Sequence, residues 1–509
     1  MLLRKFLLLI VALLIGNHMP SHAQTDGSFQ SRFLAFKKQK VQDFQTFRKR
    51  INEQFAECLA QPWKVSPTVA PVPLPKHEEV KPEEVPIEKV PPVGISTPTP
   101  FKAKVTPPAP APQPQPIIPL REITVPPVQQ DAAQVAFTYF GTKDAVRFDT
   151  SHIFHLADTK EKEVAKAWRT MSGEEYCAML SDCLAIREKR QLCDWAYINM
   201  LEAVAVAVCG KGTNEAVMLQ AFLFAQSGYA MRLGRDVRQG NLHLFYGTEH
   251  MIYGTWSYQG ERGTESKVRY YKYGEPLDVS DRVEFENVEF PQEKVLSLYV
   301  TTEQLLDDDS DYSPIVHESK HVKNLRTEVT PNRNLLQFYS TYPTSFVSGD
   351  MMTRWAMYAE TPISSSVRRQ LYPVLKEAIE GCSQVEAVNK LLDYIQTGYE
   401  YGYDNDVWGD DRAFFPDETL FYPFCDCEDR AILLTRLVRD LLGLRCLLVY
   451  YPGHLACAIE FDESSEAKGD YFMVDGHRFT SADPTYIVSR AGQTANAKQK
   501  DQAVVIVLK

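Results

Sequence analysis

The stretch FCDCEDRAILLTRLVRDLLG, residues 424–443, sets two cysteines among three acids at the head of a strongly apolar run. Positions 427, 431, 434, 438 and 441 recur at helical spacing and carry Cys427, Ala431, Leu434, Val438 and Leu441. Ile432, Leu433, Leu437 and Leu442 widen that face until little polar surface remains. A helix apolar nearly all round belongs inside a domain. Cys427 heads the stripe in the first turn, where backbone N–H groups without helical partners favour a thiolate. Cys425 precedes the helix and lies off the stripe, so Cys427 is the better nucleophile. Glu428 and Asp429 are rotated from it by about 100° and 200°. They are therefore expected to serve the helix start without touching the sulfur, with Asp426 as N-cap. A cation to pair with the thiolate must come from elsewhere in the chain.

His454 is the candidate, opening the strand HLACAIEF just after Tyr-Pro-Gly at 451–453. In a strand His454, Ala456 and Ala458 face one way, and the small alanines leave room for a helix on that face. A cysteine at a helix start beside such a histidine makes a thiolate–imidazolium pair, which should hold the thiol below its ordinary pKa. Asp483, in SADPTY, follows the strand pair YFMVD/HRFTSA and is placed to orient the imidazole. Asp475 of VDGH competes for that part, but Asp475-Gly476 reads as a hairpin turn.

Four motifs now stand in order: Cys-x-Asp-x-Ala (Cys427, Asp429, Ala431), Leu-Gly-Leu-Arg at 442–445, Gly-His at 453–454 and Asp-Pro-Thr at 483–485. Over residues 400–509 they resemble the transglutaminase-like superfamily. The resemblance implies an α+β domain with a papain-like fold core, its cysteine-bearing helix packed on an antiparallel sheet. It also implies a Cys-His-Asp triad whose nucleophile, base and orienting acid fall on Cys427, His454 and Asp483. The family often places a tryptophan or other polar side chain just before the nucleophile to hold the oxyanion. Here Tyr422 and Trp408 are nearest, neither placed by a motif, and the Cys427 N–H can supply one donor.

The implied activity is acyl transfer by a cysteine peptidase or amidase acting on a protein or peptide substrate. Hydrolysis of peptide or isopeptide amides is expected over cross-linking, since water is always present and nothing suggests a dedicated amine site. No cofactor and no metal is called for. Zinc on Cys425, Cys427, His454 and His477 would rest on Cys-x-Cys, a poor ligand spacing. The run Asp307–Asp311 lacks the glycine that a calcium loop has at its sixth position. The alternative is a catalytically silent binding or scaffold protein that uses the same fold for protein interaction.

Outward from residues 363–509, the transglutaminase-like domain, residues 276–362 read as a β-rich module on VLSLYV, LLQFYSTYP and RWAMYAE. Residues 130–275 read as helices followed by strands, either a degenerate copy of the C-terminal domain or an unrelated helix–strand unit. Laid over one another, the two segments put Gly212 on Cys427, Asn214 on Asp429, and Gly240-Asn241-Leu242 on Gly453-His454-Leu455. Residues 62–129 form a Pro-rich linker, expected to be disordered or extended. Twenty of the chain's 32 prolines lie between Pro62 and Pro127. Residues 28–61 repeat Phe33, Phe36, Phe44, Phe47, Ile51 and Phe55 at helical spacing. That amphipathic helix must lay its stripe on the body of the protein, on a partner or on a membrane surface.

Residues 1–23 read as a signal peptide: Arg4-Lys5, an apolar run from Phe6 to Ile15, and Ser21-His22-Ala23 at the cut. The chain is therefore expected to be exported, periplasmic or secreted. With 55 basic against 66 acidic residues, a nucleic-acid partner is not expected. Ten cysteines without small-scaffold spacing predict few or no disulfides.

Overall fold

The computed structural model describes residues 49–74, 100–101, 104–106, 133–259, 268–277, 282–286, 293–347, 349–408, 411–462, 467–487, 489–493 and 502–509. The expected signal peptide lies outside them, as do the front of the helix expected over 28–61 and most of the Pro-rich segment. Residues 49–59 are helical, with Phe55, Ala56 and Leu59 buried. Among the described residues no helix is long and apolar enough to cross a membrane.

The Pro-rich segment is not wholly without structure. It supplies four short strands: β1 (Lys64–Val65), β2 (Thr68–Val69), β3 (Pro100–Phe101) and β4 (Lys104–Thr106). Each lies at a sheet edge, the position that tolerates proline because one side of the strand needs no ladder.

From Gln134 the chain runs twice through one order of elements. The first lobe opens with a hairpin of β5 (Gln134–Tyr139) and β6 (Thr142–Arg147). Helices α1 (Glu161–Met171), α2 (Glu175–Arg190), α3 (Asp194–Cys209) and α4 (Asn214–Gln226) follow. Strands β7 (Met231–Asp236), β8 (Leu242–Thr248), β9 (Ser257–Gln259), β10 (Arg269–Lys272) and β11 (Val283–Phe285) complete it. The second lobe opens with another hairpin, β12 (Ile315–Glu318) and β13 (Arg326–Val329). It continues with α5 (Arg333–Tyr339), α6 (Thr353–Glu360), α7 (Ser365–Ile379), α8 (Gln384–Gly398) and α9 (Cys427–Leu442). Its strands are β14 (Cys446–Tyr451), β15 (His454–Glu460), β16 (Tyr471–Val474), β17 (His477–Ala482) and β18 (Val504–Val507). The hairpins pack alike: α3 on β5 and α2 on β6 in the first lobe, α8 on β12 and α7 on β13 in the second.

The two sheets share the order of their five inner strands, with the two edge strands in exchanged positions. One reads β2-β9-β10-β8-β7-β11-β1 and the other β3-β16-β17-β15-β14-β18-β4, with five inner strands antiparallel throughout. The edge strands run antiparallel to their neighbours in the first lobe and parallel in the second. Sequence distance then dictates shape. Opposite edges of a flat seven-stranded sheet stand about 29 Å apart, at roughly 4.8 Å per step. Yet β1 and β2, and likewise β3 and β4, are separated by a link that spans about 11 Å at most. Both sheets must therefore curl until their edges meet, and the Pro-rich segment closes each seam.

The interiors of the two curled sheets form two of the molecule's smaller cores. One contains Phe245, Tyr258, Tyr270, Val283 and Phe285; the other contains Val449, Ala456, Ala458, Phe472 and Phe479. Ala456 and Ala458 thus point into the barrel. The expectation that a helix lies on their face is corrected: α9 lies on the opposite face, where Cys457 Sγ meets Ala431 O at 3.1 Å and Thr435 Oγ1 at 3.3 Å. Small residues are needed on the inner, concave side, where facing strands crowd.

The expected β module at 276–362 is also corrected. Its residues are shared between the lobes, and LLQFYSTYP and RWAMYAE carry helices α5 and α6. Asn332 caps α5 by accepting from the Asn334 and Leu335 N–H groups at 2.9 and 3.3 Å.

Candidate active site

Helix α9 places Cys427 at its first position, after Asp426 as N-cap. The Asp429 carboxylate accepts the N–H groups of Asp426 (3.2 Å) and Phe414 (2.7 Å), so this acid does serve the helix start. At the other end Gly443, at φ +67°, makes the left-handed exit that any other residue adopts with strain. The helix runs along β15, whose first residue is His454, paired across the turn with Tyr451. The backbone N–H of Leu455, the residue after that histidine, lies near enough to the Cys427 sulfur to favour its thiolate.

His454 Nε2 lies 2.8 Å from Asp483 Oδ2. The second oxygen of Asp483 accepts the Thr485 N–H at 2.9 Å, which aims the carboxylate. Because Asp483 occupies Nε2, Nδ1 is the ring nitrogen left to exchange a proton. All three side chains are buried, at 2, 1 and 2 % exposure for Cys427, His454 and Asp483. Asp475 sits in the β16–β17 turn at φ +51°, exposed and away from the histidine's hydrogen bonds. His477 is exposed and paired with Glu460 at 2.6 Å, so the four zinc candidates are not assembled.

Two expectations about the thiol are overturned. Glu428 does touch the sulfur: Cys427 Sγ donates to its Oε2 at 3.1 Å. The backbone rotation away from the stripe is real, but the long Glu side chain folds back across the first turn. Among the described residues no hydrogen bond joins the sulfur to the His454 ring. Burial, then the charges of Glu428 and Asp426, raise the Cys427 pKa well above the ordinary thiol value; the Leu455 N–H opposes them.

The acids form a buried group. Oxygens of Asp404, Asp426 and Asp429 lie within 4.8 Å of one another, as do those of Asp404, Asp411 and Glu428. Burial and mutual repulsion raise the pKa values of Asp426 and Asp429 well above the usual carboxylate range. Asp426 Oδ1 is buried without a hydrogen-bond partner. Arg354 of α6 approaches the cluster, paired with Asp411 at 3.0 Å. These carboxylate oxygens are donors of the kind hard cations take, unlike the sulfur and imidazole of a zinc site. A cavity of about 190 Å³ opens beside Asp411, lined also by Tyr339, Tyr342, Tyr358, Arg412 and Glu418. Trp408 and Tyr422, the residues nearest the family's oxyanion position, pack with Phe414 in an aromatic cluster. Tyr401 is a neighbour of Cys427 that the sequence reading missed; burial and the sulfur's charge raise its phenol.

The first lobe holds the same geometry with different side chains. Asn214 is the first residue of α4, and its Oδ1 accepts the Leu242 N–H at 2.8 Å, on the strand corresponding to β15, where the Leu455 N–H lies near Cys427 in the second lobe. The position equivalent to Cys427 in this lobe is therefore Asn214, two residues beyond the Gly212 expected from the overlay. The shift arises because Gly228 follows the start of α4 by 14 residues, whereas Gly443 follows the start of α9 by 16. Asn241 stands before Leu242 as His454 stands before Leu455, as the overlay gave. With Tyr271 opposite Tyr246 and Thr480 opposite Ile459, the ladders put Gly274 where Asp483 stands. All ten cysteines of the chain are free thiols. Comparisons with protein-family models, with curated proteins and with solved structures return no match to this chain.

Proposed function

We propose that the second lobe is a transglutaminase-like thiol enzyme, a cysteine peptidase or amidase that hydrolyses peptide or isopeptide amides outside the cytoplasm. One observation carries the reading. A cysteine at a buried helix start packs against the strand that begins with His454, and the far nitrogen of that imidazole is held by Asp483.

In the proposed reaction His454 Nδ1 takes the thiol proton once the sulfur leaves Glu428. The thiolate then attacks the amide carbonyl, and the Cys427 N–H helps hold the oxyanion. The C–N bond breaks, the amine departs with the proton from His454, and a thioester remains. Water, deprotonated by His454, adds to the thioester, and the carboxylic acid leaves as the thiol is restored. Asp483 fixes the imidazole tautomer and stabilises its charged form. Export rests on residues 1–23, which have the charge, apolar run and small residues of a leader.

A second reading, a silent protein-binding module, draws on a specific observation: the thiol is buried, raised in pKa and bonded to Glu428. A thiol-directed activity probe separates the two. Labelling of the wild-type chain at Cys427, lost in Cys427→Ala, supports the enzyme. Inertness of Cys427 while the other thiols react supports the module.

A further inference from the structure

The acid of the triad stands on a loop just beyond the end of β17, where no ladder bond fixes it. Two buried side chains from other elements fasten that loop. Gln396 of α8 donates from Nε2 to Asp483 O and to Ser489 O, both at 2.9 Å. Arg430, three residues along α9 from Cys427, spreads one guanidinium over three segments. Its Nη1 donates to Thr485 O at 3.5 Å, its Nη2 to Tyr399 O at 2.9 Å, and its Nε to Cys425 Sγ at 3.4 Å. Thr485 is the residue whose own N–H aims the Asp483 carboxylate. Residues 400–401 and 424–425, which flank two of these contacts, pair with one another as parallel strands.

Resting on the triad reading, we propose that Arg430 and Gln396 are positioning residues that set Asp483, and through it His454, relative to Cys427. Taking a guanidinium out of water is costly unless its donors are engaged, and here the partners lie beside two triad members. The fork is planar and rigid, so it fixes the angle between the nucleophile's helix and the acid's loop; a lysine ammonium, a single point of charge, cannot. A side chain that served stability alone could satisfy its donors on any carbonyls.

The test reads the pH dependence of Cys427 alkylation by iodoacetamide in the full chain, with Tm recorded beside it. Arg430→Lys and Gln396→Met should each raise the pH at which alkylation sets in, as Asp483→Asn does. A shift of about one unit slows the neutral-pH rate about tenfold. Added to Asp483→Asn, neither should shift the profile further, whatever it does to Tm. If Arg430→Lys does not fold, Gln396→Met, which removes no charge, still decides the matter. Unchanged profiles in His454→Ala and Asp483→Asn would overturn the triad and this proposal with it. Shifts in those two with none in Arg430→Lys and Gln396→Met, or shifts that simply add to Asp483→Asn, would overturn the positioning role alone.

Discussion

The contact between Cys427 and Glu428 adds a neighbouring carboxylate to the burial that already raises the thiol's pKa. An acid beside a thiol disfavours the thiolate, so Glu428→Gln should lower the Cys427 pKa and start alkylation at lower pH; an unmoved pH–rate profile would place the acid elsewhere. The orienting acid gives a second comparison. Asp483→Asn should slow probe labelling of Cys427 at neutral pH, while Asp475→Asn, on an exposed turn, should leave it intact, and the reverse order would mean the imidazole is held differently. A third residue bears on stability. Glu286 is buried, its two oxygens have no hydrogen-bond partner, and burial pushes its pKa up to about 8 from 4.5. A carboxyl raised in the folded state contributes stability below its unfolded pKa and loses it as pH climbs through the folded one. Glu286→Gln should therefore gain Tm over the wild type progressively from about pH 4.5 to pH 8, read by thermal melts across that window. His454, Asp483 and Cys427 were legible because each begins or ends an element that announces itself by period and turn. Glu428's contact, Arg430 and Gln396 were not. Their roles depend on where a long side chain bends and on loops far away in the chain.

Helix α9 was readable from its stripe, since Cys427, Ala431, Leu434 and Val438 are all buried. Leu434 is fully enclosed, so Leu434→Ala should cost about 2–5 kcal/mol by denaturant unfolding. Leu441, half-buried on the same stripe, should cost less. Helices α5 and α6 show the opposite case. Their short aromatic runs have no clear period, and runs of that length cannot be told from strands by pattern alone. Asn332 at the head of α5 was the missed signal, because its side chain closes the helix start. The face of β15 was misjudged for a related reason. Small residues suit a neighbouring helix and a barrel interior equally, and only the curl of the sheet decides between them.

From Gln134 onward the described residues form two lobes of one topology, with Asn214, Asn241 and Gly274 in the first where Cys427, His454 and Asp483 stand in the second. The overlay of 212–242 on 427–455 hinted at this through Gly228, Gly443 and their apolar intervals, whereas the strand orders establish it. The edge strands of the Pro-rich segment were illegible because β4 pairs with residues 400 positions away, Lys104 with Val504. A protease site engineered into 107–132 should therefore sever the chain without freeing the front piece. The cut halves should stay together in native mass spectrometry, and separation would show that the strand pairing is too weak to close the seam. That pairing also imposes an order in time. During synthesis at about 5–20 residues per second, roughly 20–80 s pass between the making of β4 and of the strand it joins. For all that while β3 and β4 wait with no sheet of their own, and the second barrel stays open along its length. The piece made early is used last, so the second lobe finishes folding only when nearly the whole chain has been made.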